Sequence, residues 1–223
     1  MTKAYRGNVS ESSHTHSGPH CPEHMSSPLP MSFFRVPLVC EAAPSIGCGT
    51  IARPVLADLE HQPGVREASL NREGTVLAVV WDDGAPDPKA VLSTLHRHGI
   101  AGVELQGAEY GRNCEAFATG DWYRPTQMQD LSAEEACLIA ARLVRRLEQR
   151  VSLSTGTSER LVETLERACS KALAQASATS ESARRQQIAS ALRDAASDIL
   201  DPAAFAAFTA VVLLGHRPLP TER

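Results

Sequence analysis

From Ser32 to Cys40 the side chains alternate: Phe34, Val36, Leu38 and Cys40 fall on one side, Phe33, Arg35, Pro37 and Val39 on the other. A period of two is that of a strand, and Pro37, which cannot donate to a ladder, predicts an edge position. After the loop EAAPSIGCG the period changes. Ile51, Val55, Leu56 and Leu59 recur at helical spacing, and Pro54 predicts a start close to Thr50, because proline is tolerated in a helix's first turn. Gln62-Pro63-Gly64 stops that helix, Val65 to Leu70 reads as a strand, and Asn71-Arg72-Glu73-Gly74 as a hairpin turn. The β-prone run Thr75 to Trp81 follows. Pro88 then opens a helix with Val91, Leu92 and Leu95 inward, Gly99 ends it, and Ala101 to Leu105 is a last strand. The predicted order is βαββαβ, a ferredoxin-like arrangement over residues 32–106.

Residues 107–130 carry glycines, Pro125 and the aromatics Phe117, Trp122 and Tyr123, the composition of a linker whose rings pack one domain on another. Within it, Cys114 is flanked by polar residues and is expected to be exposed. Residues 131–216 are helical. Ser132 and Glu135 form a capping-box pattern before the stripe Ala136, Ala140, Leu143, Leu147 and Val151. Leu161, Leu165, Ala168, Ala172 and Ala176 mark a second helix; Ile188, Leu192, Ala195 and Ile199 a third; Asp201-Pro202 caps a fourth, which Gly215 stops. The expected fold class is α+β, a ferredoxin-like domain followed by a small helical bundle, with a short tail at 217–223. Cys137 and Cys169 read as buried thiols, and Arg142, Arg145, Arg146, Glu148, Arg184 and Arg185 as a solvated face. The apolar last helix, AAFAAFTAVVLL, is either the centre of the bundle or a surface for self-association or a protein partner.

Composition narrows the function. A net charge of -4 gives no basic footprint for nucleic acid, and no apolar run is long enough to span a bilayer. With no signal-peptide core at its start, the chain is expected in the cytoplasm, where its six cysteines would mostly be thiols. Residues 1–31 read as a disordered tail containing HTHSGPHCPEHM, in which His14, His16, His20, Cys21, His24 and Met25 offer soft or borderline donors. The same segment also reads as a plain His-bearing linker.

The stretch CEAAPSIGCGTIARPVLADL, residues 40–59, concentrates the candidate chemistry. Cys48 falls where a helix begins, and free N–H groups with the helix dipole favour its thiolate. The order of elements, the Cys48 helix start, Pro63-Gly64-Val65, Ala68-Ser69-Leu70-Asn71, Gly74-Thr75-Val76 and His98-Gly99-Ile100 resemble the heavy-metal-associated domain, the family of copper chaperones and bacterial mercury-binding proteins. The resemblance implies a thiol pair for a soft cation. Members carry GMTCxxC; here Cys48 takes the place of the first cysteine and Ile51 that of the second, so Cys40 is the only nearby substitute. A Cys40–Cys48 pair suits Cu(I) or Hg(II), while recruitment of His20, Cys21 and His24 would shift preference towards Zn(II). The expected function is soft-metal handling or relay. The alternatives are a non-catalytic scaffold that keeps the domain without its metal, and a thiol enzyme or redox protein using Cys48. The last lacks a base near Cys48, Arg53 being its one evident cationic neighbour.

Overall fold

The computed structural model describes residues 30–82, 86–175 and 181–222. Five antiparallel strands, β1 (Met31–Arg35), β2 (Val65–Asn71), β3 (Val76–Trp81), β4 (Val103–Glu104) and β5 (Trp122–Tyr123), form one sheet in the order β4-β1-β3-β2-β5. Helix α1 (Gly49–Glu60) follows β1, α2 (Pro88–Arg97) follows β3, and α3 (Gly107–Thr119) follows β4. Beyond β5 the chain is helical: α4 (Met128–Glu148), α5 (Thr155–Gln175), α6 (Glu181–Ser197) and α7 (Pro202–Leu213). The molecule is therefore mixed, a sheet in its N-terminal part and mostly helices afterwards. No helix among the described residues is long and apolar enough to cross a membrane.

Local sequence explains the junctions. Asp87 caps α2 by accepting from the Ala90 N–H, and Asp201 does the same for α7 through Ala204, each followed by a proline where an N–H would lack a partner anyway. In the β2–β3 turn, Asn71 Oδ1 accepts from Thr75 N at 2.9 Å and Val76 N at 2.8 Å, while Gly74 takes φ +75°. The buried indole of Trp81 donates to Ser32 Oγ at 3.1 Å, pinning β3 to β1.

Several expectations change. Pro37 does not mark an edge: β1 ends at Arg35 and lies between β3 and β4, so the proline sits beyond its ladder. Pro54 falls in the second turn of α1, not the first, which leaves the Thr50 carbonyl without its intrahelical donor. The stretch expected as a linker contains α3 and β5, and its aromatics close the second face of the sheet. Phe117 and Trp122 both pack on Phe33, at ring separations of 6.2 and 6.0 Å, beside Tyr110 and a buried Cys114 that is disulfide-bonded. This is why Phe33, the outward member of an alternating strand, is fully buried. On the other face one continuous core joins Phe34, Leu56 and Leu77 to Leu131, Leu161 and Phe208.

Helix α4 packs on α1, α5 and α7. It begins at Met128, so Ser132 and Glu135 lie inside it and form no capping box. Of the residues expected on a solvated face, Arg145 and Glu148 are exposed, but Arg142 and Arg146 are not. Arg146 is 3% exposed; it grips Glu222 with two hydrogen bonds of 2.7 and 2.8 Å and donates to the carbonyls of Gly215 and Arg217. Arg142 donates to the carbonyls of Ala42 and His216, both at 2.7 Å, and thereby ties the loop after Cys40 to the segment after α7. Cys169 is buried as expected, whereas Cys137 is exposed.

The Arg146–Glu222 pair makes a stability prediction. Arg146 holds the Glu222 carboxyl down to about 2. A depressed carboxylate stabilises the fold fully above its ordinary pKa of 4.5, and the contribution is lost as pH falls towards about 2. Glu222→Gln should lower unfolding free energy by about 1–3 kcal/mol at pH 7, as expected for a hydrogen-bonded charged partner. The gap between the two proteins in urea titrations should shrink steadily between pH 4.5 and pH 2.

Candidate metal centre

The centre is built by a loop that is folded back on itself. Cys40 N donates to Ile46 O at 2.8 Å and Cys48 N to Leu38 O at 2.7 Å, so residues 40 and 48 come to the same end of a narrow return. The β2–β3 turn holds this return in place: Leu38 N donates to Gly74 O, and Gly47 N to Arg72 O at 2.7 Å. The approach is so close that a Cβ on Gly74 would lie 2.5 Å from Gly47 Cα. Only glycine fits there. Buried Ala42, Ala43 and Ile46 fill the inside of the loop.

Cys48 is the N-cap of α1, as the sequence implied. The third member comes from α4. A Cβ on Gly49 would meet Met128 O and Ser132 Oγ, each at 2.8 Å, so the missing side chain lets the first turn of α4 lie against the start of α1. One turn further on, Glu135 faces the two sulfurs. Cys40 Sγ, Cys48 Sγ and a Glu135 carboxylate oxygen lie within 4.8 Å of one another, and all three residues are buried. Among the described residues Glu135 Oε2 has no hydrogen-bond partner, nor does the buried Thr50 Oγ1. The three groups line a cavity of about 210 Å³ with Thr50, Leu173, Ile188 and the arginines Arg184, Arg185 and Arg217.

The electrostatics are those of three acids crowded out of water. The Cys40 thiol donates to Cys48, which with burial and the Glu135 charge keeps Cys40 protonated. The same hydrogen bond is the main reason the Cys48 pKa falls, assisted by the Ile51 backbone N–H at the helix start and by Arg184, against burial and Glu135. Burial raises the Glu135 pKa, opposed by the Cys40 hydrogen bond and by Arg184. The cation that acts on Cys48 is thus Arg184 of α6, not Arg53. Cys169 is a separate case, a thiol pushed up to about 12 chiefly by burial.

Of the residues singled out from sequence, Cys40 and Cys48 are brought together. His20, Cys21 and His24 lie outside the described residues. Glu135 was missed, although a signal for it existed: it follows Leu131 and precedes Ile139 at four-residue intervals, an acid in the middle of a buried stripe. Arg184 was read as solvated and lines the cavity. No family, curated protein or solved structure matches this chain.

The Gly49 contact is open to test. Gly49→Ala should destabilise the protein by about 1–3 kcal/mol, the usual cost of overpacking, because the atoms it meets include backbone. It should also speed alkylation of Cys48 by loosening α4. Gly156→Ala, where a Cβ meets nothing within 4 Å, is the control and should cost no stability and leave the alkylation rate unchanged.

Proposed function

We propose that this protein binds a soft metal ion, Cu(I) or Hg(II), between the sulfurs of Cys40 and Cys48, with the Glu135 carboxylate as a third ligand or close counter-charge, and that it acts in metal handling or relay. The observation that carries this reading is the convergence of those three groups within 4.8 Å in a buried site where one carboxylate oxygen has no partner among the described residues. Three neighbouring acids in low dielectric suppress one another's ionisation; a cation removes that penalty and displaces the thiol protons. Two thiolates suit a linear soft ion, and the added oxygen widens the range towards Zn(II) if a fourth donor is recruited from His20 or His24. The order β4-β1-β3-β2 of the first four strands, with α1 and α2 as their crossovers, supports the resemblance to the heavy-metal-associated domain and its ferredoxin-like arrangement. In this reading Cys40 replaces the absent second cysteine from the strand side of the loop.

The thiol-enzyme alternative gains less from the same geometry. The Cys48 pKa is lowered overall, but Glu135 places negative charge beside it, which opposes that lowering and favours a bound cation.

Native mass spectrometry of the reduced full chain with limiting Cu(I), Hg(II) and Zn(II) tests the proposal. One soft ion per chain should be retained. Cys40→Ser and Cys48→Ser should each weaken it by more than about 100-fold, and Glu135→Gln by about 10–100-fold, the usual cost of losing a supporting group. Retention unchanged in both cysteine variants would contradict the proposal, as would loss only on removing residues 1–31.

A further inference from the structure

The cavity over the two sulfurs is larger than an ion requires, and its remaining wall is cationic. A water molecule takes about 30 Å³ of liquid, so about 210 Å³ leaves room for the sulfur-bearing end of a small molecule beside a metal. Apart from buried Glu135, the charged residues on the wall are Arg184, Arg185, Arg217 and Glu41. Glu41 is paired with Arg217. Arg184 is half-buried, has no carboxylate within ion-pair distance among the described residues, and acts electrostatically on both Cys48 and Glu135. Arg217 is taken up by Glu41 and Arg185 has an interaction of its own, which leaves Arg184 as the cation that acts on the site. It favours a metal that arrives already wrapped in negative charge.

We infer that the substrate of this site is a soft metal ion carried as an anionic complex of a small thiol bearing carboxylates, with Arg184 as the residue that receives the carrier. The inference rests on the metal-binding reading above. In the transfer, two metal–sulfur bonds to carrier thiolates break as bonds to Cys40 and Cys48 form. Each carrier thiolate that leaves takes up the proton of the protein thiol that replaces it, or departs as thiolate where that protein sulfur was already deprotonated. No electron is exchanged. The carboxylates of the carrier remain near Arg184 until the second bond has broken, which holds the complex in place for attack by the second sulfur.

The experiment is stopped-flow transfer of Hg(II) to the reduced full chain from three carriers: glutathione, which gives an anionic complex, 2-mercaptoethanol, which gives a neutral one, and cysteamine, which gives a cationic one. The wild type should take mercury from the glutathione complex at least about tenfold faster than from the neutral complex, and slowest from the cationic one. Raising the salt concentration should compress that order. In Arg184→Gln the anionic-to-neutral rate ratio should fall to within about threefold of one, and Arg184→Lys should restore most of it. Equal wild-type rates from the three carriers, corrected for the affinity of each thiol, would overturn the inference while leaving the metal site standing. A ratio unchanged in Arg184→Gln would remove Arg184 from it. Failure to take up mercury from any carrier would defeat the metal reading itself, and this inference with it.

Discussion

The close packing of α4 against the first turn of α1 at Gly49 is the contact on which the rest of the site depends. Without a side chain at that position, two helices from opposite halves of the chain approach to a distance that any Cβ would forbid. That approach brings Glu135 to the sulfurs, and the same helix carries Arg142 and Arg146 further along. Arg142 binds the loop after Cys40, and Arg146 binds the segment after α7, so one rigid element sets the positions of the site, its loop and the chain's last described turn. A change in the α1–α4 contact would be felt at all three.

What this packing holds together is costly. Burying Cys40, Cys48 and Glu135 side by side removes three acidic groups from water and provides only one internal hydrogen-bonded arrangement, in which Cys40 stays protonated so that Cys48 can approach its thiolate form. Arg184, which lines the cavity, offsets part of the charge, but among the described residues one carboxylate oxygen still lacks a partner. Apolar residues of similar size would pack there at lower cost, which is the physical ground for reading the cluster as a site awaiting a cation.

Periodicity made most elements legible in the sequence. The βαββαβ order of elements and the four later helices could be read from alternation, three-to-four spacing and the prolines after Asp87 and Asp201. Cys48 was legible as well, because a thiol at a helix start has a chemical signature independent of its partners. Residues 107–130 were not: α3 and β5 derive their burial from the second face of the sheet, and nothing local announces that Phe33 will need a cover. Glu135, Arg142 and Arg146 were misread for a related reason. Propensity treats a charged side chain as solvated, whereas these are buried by groups some 70 to 100 positions away, such as Ala42 for Arg142 and Glu222 for Arg146. The meeting of Cys40 with Cys48 depended on the backbone contact between Gly47 and Gly74, which is a tertiary fact.

The most direct test of the account is X-ray absorption spectroscopy of the full chain loaded with one equivalent of Hg(II). The account predicts two sulfur neighbours, and loss of one sulfur in either Cys40→Ser or Cys48→Ser. A sulfur shell unaffected by both substitutions would place the ion elsewhere and contradict the account.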